Sequence, residues 1–305
     1  MQASLINWLR LGVLGIIWGS SFMAVSIAIR DLGPLSVAAG RIGLGALLLL
    51  MLTYARGTGL PRLSGGDGPL IWLAALGFGF FSMALPFFLL SWGQSYVASG
   101  FAGVTMAAAP LLVLPLAHFL VQGDQMTVPK SVGFVIGFLG VLVLIGMDAF
   151  KTLGNDLEPL ARLACFGAAG SYAVGSIITR LAPKVNLMSF ASAATLLASA
   201  MIVPMALIVE GVPDDISTMP LLAVVFLGLV PTALANLLLV AVIRSAGPSF
   251  LSLVNYQVPV WSVFFGVVFL HESLPARTFV ALALIMTGVL ISQRWKRAKP
   301  PAPQP

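Results

Sequence analysis

Apolar residues gather into ten long runs, near residues 8–29, 35–55, 69–92, 96–120, 131–147, 160–180, 187–209, 219–243, 248–270 and 276–294. Charge, proline or a glycine-rich turn closes them, as in Arg30-Asp31-Leu32-Gly33-Pro34, Gly123-Asp124, Pro183-Lys184 and Pro213-Asp214-Asp215. A hydrocarbon core about 30 Å thick takes roughly 20 apolar residues per helix. A β-barrel would instead alternate over segments of about 10 residues, and these runs are continuous. The pattern predicts an all-α integral membrane protein of ten transmembrane helices with short loops.

Composition agrees. The 305 residues are 59% hydrophobic and 9% charged, against about 25% charged in a soluble domain. A net charge of +6 would suit nucleic acid, but the basic residues are scattered at the ends of apolar runs and form no patch before the C-terminus, so no nucleic-acid partner is expected. The lone Cys165 excludes a disulfide framework and a cysteine-based metal cluster within the chain; no metal and no cofactor are expected. With the N-terminus inside, eleven Lys/Arg fall on the cytoplasmic side and four (Arg30, Lys151, Arg162, Arg277) outside, while Arg41 lies within a span. This bias predicts that both termini are cytoplasmic. The first run is too long for a signal-peptide core. Arg294-Trp295-Lys296-Arg297 reads as an anchor at the headgroups, and residues 298–305 as a disordered tail.

The halves repeat at an offset of about 150 residues. Phe101 matches Phe250 and Pro110 matches Pro259, both 149 apart; Pro69 and Gly77 match Pro220 and Gly228, both 151 apart. Gly140 opens a stretch like that at Gly288, and Trp18 corresponds loosely to Tyr172. Five spans per unit is an odd number, so the second unit enters the membrane from the opposite side. The predicted units are residues 1–150 and 151–297, two inverted five-helix repeats. Such repeats build a solute site near the midplane between them, and rocking about it gives alternating access.

Two such repeats, with Trp18-Gly19 in the first span, Pro110 and Pro259 within the fourth and ninth, and Glu272 just past the ninth (Asp124 more weakly past the fourth), resemble the drug/metabolite transporter superfamily. The resemblance covers nearly the whole chain and is to the EamA-type exporters, nearest to aromatic amino acid exporters of the YddG type. It implies a central cavity lined by helices 1–4 and 6–9, peripheral fifth and tenth helices, a bacterial inner (cytoplasmic) membrane, and export of amino acids or related metabolites. A metabolite, drug or nucleotide-sugar-like carrier of the same fold is the alternative.

Candidate site residues follow from what lipid tolerates. An ionisable group at bilayer depth marks function or finds a partner. Arg41, roughly 10 Å into the second span at 1.5 Å per residue, either grips a substrate carboxylate, or snorkels outward or pairs with Asp31 or another outer carboxylate. His118, near the end of the fourth span, is either an interfacial structural group or a proton shuttle. All ten acids lie at span ends or in loops, so a buried-carboxylate proton antiport is not expected and flow down the substrate's own gradient is simpler. In the ninth span Asn255-Tyr256-Gln257 replace Met106-Ala107-Ala108 of the first unit, an asymmetry suited to an asymmetric solute; the alternative is that Asn255 and Gln257 bond neighbouring helices. Asn236, in the eighth span, has a similar claim. Trp18 with Ser21, Phe78, Phe81, Tyr172 and Trp261 supply stacking surface. Phe81, Phe88 and Trp92 are expected to share one helix face as an aromatic wall, or else to meet lipid. Pro110 and Pro259 are predicted as paired hinges. Small residues four apart (Gly15 and Gly19; Gly133 and Gly137; Gly167, Ser171 and Gly175) let helices approach; those of the fifth helix serve either packing within the chain or a homodimer, so the chain is expected as a monomer or homodimer in lipid with an amino acid-like substrate.

Rivals are weaker. There is no G-x-S-x-G or H-E-x-x-H motif, and His118 and His271 fall near opposite faces, so no catalytic residue is expected. No phosphate-binding loop supports a primary pump. A channel shares the repeats and short loops, and saturable counterflow separates it from a carrier.

Overall fold

The computed structural model describes residues 4–146 and 157–293. The predicted boundary at 150/151, Lys151, the basic anchor from Arg294 and the tail at 298–305 lie outside the described residues. Among the described residues there are ten long helices and no strand: α1 Leu5–Ala28, α2 Pro34–Ala55, α3 Gly68–Gly93, α4 Ser99–Leu120, α5 Val128–Ile145, α6 Glu158–Leu181, α7 Leu187–Val209, α8 Thr218–Ala246, α9 Val254–Leu270 and α10 Ala276–Gln293. Nine are at least 18 residues long and apolar enough to cross a membrane. The shorter α9, about 26 Å at 1.5 Å per residue, is led in by a single helical turn, Pro248–Leu251. Lipid offers no partner to backbone N–H and C=O groups, so helices that satisfy their own are the form these runs must take. Proline sits in the first turn of α2, α3, α5 and α6, where its missing N–H costs nothing.

Helix pairing obeys the repeat. α2 packs on α7, α4 on α9 and α5 on α10; α1 lies against α8 and α9, and its counterpart α6 against α3 and α4. Because each unit has five helices, α6 starts at the end of the bundle where α1 finishes, and the two units are inverted. The α5–α10 pair shows the symmetry at atomic contact. A methyl group added to Gly133 would overlap the carbonyl oxygen of Gly288, and one added to Gly288 would overlap that of Gly133. Gly137 is covered by Leu111 of α4. The small-residue stripe of the fifth helix is therefore used for packing within the chain.

The ends of the bundle are tied differently. At one end, here the Glu272 end, carboxylates hold helix N-termini of the other repeat. Glu210, after α7, accepts from the N–H groups of Leu35 and Ser36 of α2 (2.9 and 2.8 Å). Asp31, after α1, accepts from Ser217 N–H before α8 (2.8 Å), and these bonds hold its carboxyl below the usual carboxylate range. Glu272, after α9, accepts from Ser99 and Gly100 N–H of α4 (2.7 and 3.0 Å). At the opposite end Asp124, between α4 and α5, pairs with Lys130 (2.5 Å) and with Arg180 of α6 (2.8 Å).

Two measurements test this packing. Gly288→Leu should lower the melting temperature of the detergent-purified protein by several degrees, since overpacking costs about 1–3 kcal/mol, whereas Gly170→Leu, with nothing within 4 Å of the added carbon, should leave it unchanged. Lys130, and then Arg180, hold the Asp124 carboxyl below its ordinary 3.8. Its stabilisation is therefore present above pH 3.8 and lost as pH falls through the lower folded value. Asp124→Asn should cost about 1 kcal/mol at pH 7, and melting curves of the two proteins should converge below pH 3.8.

Candidate functional site

The site is built around two helix turns that depart from α geometry. Residues Phe80–Ala84 of α3 and Gly228–Leu234 of α8 are π-helical, with Leu85 N–H bonded to Phe80 O and Ala235 N–H to Val230 O, each five residues back. The two segments are about 150 residues apart and so occupy matching places in the repeats. Each adjoins or contains a proline, Pro86 and Pro231. Proline cannot donate to a preceding carbonyl, and a widened turn relieves the clash while leaving carbonyls to be satisfied from outside. Continuing the five-residue pattern, Pro86 would have bonded Phe81 O; the hydroxyl of Ser171 on α6 donates there instead (2.6 Å). In the other repeat Trp18 Nε1 of α1 donates to Pro231 O (3.2 Å). Acceptors Phe81 and Pro231 are 150 apart, and each donor comes from the opposite repeat.

Arg41 of α2 reaches this seam. It is 8% exposed, its Nε donates to Thr232 Oγ1 (3.2 Å), and its guanidinium lies over the Phe87 ring, 3.7 Å from the centroid. Thr232 in turn donates to Leu227 O (2.9 Å). Tyr172 of α6 packs on the far partner of that stack, its ring 6.5 Å from that of Phe87. Among the described residues no carboxylate pairs with Arg41, and Asp31 is engaged at Ser217. Stacking on Phe87 and the bond to Thr232 draw the side chain inward.

Asn236, one turn beyond Thr232, donates to its carbonyl (2.5 Å) and borders a small void of about 20 Å³ between α2, α7 and α8 with Arg56 and Met188. The Tyr256 hydroxyl is buried without a partner, at the edge of the cluster that contains Phe101, Leu111 and Cys165. Asn255 is exposed and, among the described residues, bonds no neighbouring helix. Gln257 lies flat against α1, where a methyl on Gly15 would come within 2.6 Å of its Oε1.

Other expected residues sit elsewhere. Ser21 is buried and its hydroxyl is used within α1, on Trp18 O (2.6 Å). Trp261 crosses α1 at Gly19 and joins Phe264 and Phe265 (5.6 and 6.0 Å), an aromatic group whose Phe264 and Phe269 face outward. Phe78 packs on Phe190 (5.6 Å). The continuous aromatic wall on α3 does not form. The π turn inserts a residue and rotates the face by about 100°, so Phe81 pairs with Phe80 (5.0 Å) while Phe87, which spacing did not single out, faces Arg41. His118 accepts from Met126 N–H (3.2 Å) at the helix end, the structural role. The two prolines also differ: α4 breaks at Ala107–Ala108 just before Pro110, whereas α9 runs unbroken through Pro259, its break lying upstream at Ser252–Leu253.

Between α4 and α9 the seam is closed at one end and open at the other. On α4 the stripe Ser99, Gly103, Met106, Pro110, Val113 is buried at its first two positions and half-buried at the rest. On α9 the stripe Gly266, Ser262, Pro259 is buried, and Asn255 is exposed. Gly103 meets Ser262 so closely that no methyl fits. Beyond its break, α4 packs on α6 and α5 in place of α9. A cleft therefore opens toward the Asp124 end and stops near Gly103. A separate apolar groove of about 390 Å³ lies between α3 and α6 around Gly77 and Ile178, with no residue of α4 or α9 in its lining.

Comparison with known proteins fits this architecture. The family model described as the EamA-like transporter family matches twice, at residues 8–146 and 159–293. The chain is 24% identical over 287 residues to "Uncharacterized transporter YoaV" of Bacillus subtilis (strain 168), covering 92% of this chain and 95% of that one. It is 27% identical over 295 residues to "Uncharacterized inner membrane transporter YedA" of Escherichia coli (strain K12), covering 94% and 90%. A solved crystal structure shares the fold with a TM-score of 0.66 at 22% identity, over 96% of this chain and 98% of the other. The relatives are named as transporters, not enzymes, and with two matched copies of one family spanning most of its length, this multi-pass membrane chain belongs to the EamA-like transporter family.

Proposed function

We propose that the protein is a secondary transporter that exports amino acids, or related small carboxylate metabolites, across the bacterial inner membrane by alternating access. The observation that carries this reading is Arg41, a guanidinium buried at the seam of the two repeats with one hydrogen bond, one aromatic face and no carboxylate among the described residues. A charge in that position is costly unless something completes it. A substrate carboxylate does so, since guanidinium accepts it through two parallel bonds. Phe87, Tyr172 and Trp18 provide stacking surface around it, and Tyr256 and Asn255 provide polar contacts for the rest of the solute. The Lys/Arg bias puts the Asp124 end in the cytoplasm. The cleft then opens inward, the state that loads an export substrate. A seam shut at Gly103 and Ser262 supports a carrier over a continuous pore. With the described acids at helix ends, the substrate's own gradient is the driving force.

The test is counterflow in proteoliposomes screened across the amino acids. Arg41→Gln should raise KM for carboxylate substrates about 100-fold, on the order of 2–3 kcal/mol for a lost charge-assisted contact, while the melting temperature stays within a few degrees. An imposed pH gradient should not drive uphill accumulation. Wild-type kinetics in the Arg41→Gln protein for every transported solute would remove the assignment.

A further inference from the structure

Three carboxylates hold helix N-termini across the repeats at the Glu272 end, and their surroundings separate them. Glu210 ties α7 to α2, a pair joined along its whole length: Gly43 lies against Ser199 and Val203, and at the far end Thr53 bonds Ser192 (2.5 Å). Asp31 ties α1 to α8, a pair joined again at mid-depth by Trp18 to Pro231 and at the far end by Ser245 to Asn7 (2.7 Å). Glu272 ties α9 to α4, and this pair alone parts beyond Gly103. Its carboxylate bridges both helices at the closed end. It takes the N–H groups of Ser99 and Gly100, its own N–H bonds Gly266 O (3.0 Å), and it lies so close to Gly266 that no side chain fits there. Leu274, two residues on, covers Gly100, where an added carbon would lie 2.7 Å away. The hydroxyl of Ser99, fully buried, has no partner, so Glu272 is the main polar tie across this seam.

We propose that Glu272 is the clamp of the gate at the closed end: its hold on the N-terminus of α4 keeps the α4–α9 seam shut there, and transport requires that hold to be released, while Glu210 and Asp31 fasten helix pairs that stay together. This rests on the alternating-access reading above. A carboxylate at a helix N-terminus satisfies two orphan N–H groups and the positive end of the helix dipole. Its glutamine analogue keeps the shape but loses the charge and one acceptor. Release of this tie frees the first turn of α4, and the break at Ala107–Ala108 gives that short half-helix a place to bend.

The test uses the full-length chain carrying Cys165→Ala and Met106→Cys, a probe position just inside the closed seam. It is reacted with a membrane-impermeant maleimide from each side of oriented vesicles. Glu272→Gln should raise labelling from the Glu272 end about fivefold, the factor equivalent to about 1 kcal/mol for a lost helix cap, and Glu210→Gln should leave it unchanged. No rise with Glu272→Gln, or an equal rise with Glu210→Gln, would overturn the proposal. Should Glu272→Gln fail to fold, Gly100→Cys with Leu274→Cys provides the second route. Cross-linking that pair should abolish counterflow and reduction should restore it; undiminished counterflow with the pair fully cross-linked overturns the clamp. Wild-type protein with neither counterflow nor a substrate-dependent change in labelling overturns the transporter reading as well. Wild type that shows both while Glu272→Gln labels like it removes the clamp alone.

Discussion

Two carbonyl groups that their own helices cannot satisfy organise the centre of this protein. Phe81 O and Pro231 O lie on widened turns at corresponding depths of α3 and α8, and each takes a hydrogen bond from the first helix of the other repeat. In lipid an unsatisfied carbonyl costs several kcal/mol, so each widened turn is stable only while the opposite repeat is in place. The inverted repeats are thus interdependent at mid-depth, where Arg41 bonds Thr232, the residue next to Pro231. Thr232 shows the coupling within one residue: its hydroxyl donates to Leu227 O of its own helix and accepts from Arg41 Nε of the other repeat.

The ten spans and the repeat could be read from the chain because both rest on local properties. Apolar length fixes a span, and an odd count of spans fixes the inversion. Arg41 was legible as a lone ionisable residue in an apolar run, and Trp18 as an indole beside small residues. Its stacking partner Phe87 was not. The π turn that brings Phe87 round, in place of Phe88, comes from a proline whose orphaned acceptor is met by Ser171, 90 positions away in sequence. Helical spacing presumes one residue per 100°, and a single inserted residue breaks the presumption for everything beyond it. The signal that was present is a proline within each of two matching spans, Pro86 and Pro231. Trp261, on the unbroken α9, lies against Gly19 of α1, a contact between two spans that the spacing within either one does not reveal.

Glu272 illustrates a different limit. Its place after an apolar run was visible, as was the weaker match of Asp124, but a cap is a relation between two chain segments and only one of them carries the carboxylate. Ser99 and Gly100 are ordinary residues for a helix start; nothing in them announces a donor pair awaiting an acid 172 residues later. The repeat would place Asp124 at the start of α9 in the same way. There Pro248 has no N–H to donate, and Asp124 is taken by Lys130 and Arg180. The two ends of the protein are therefore fastened by different chemistry, backbone donors at one and cations at the other. In the alternating-access cycle proposed above, near-symmetric halves closed by unlike ties would not populate their two open states equally, and the proposed clamp assigns the shut end to the two-donor cap on α4.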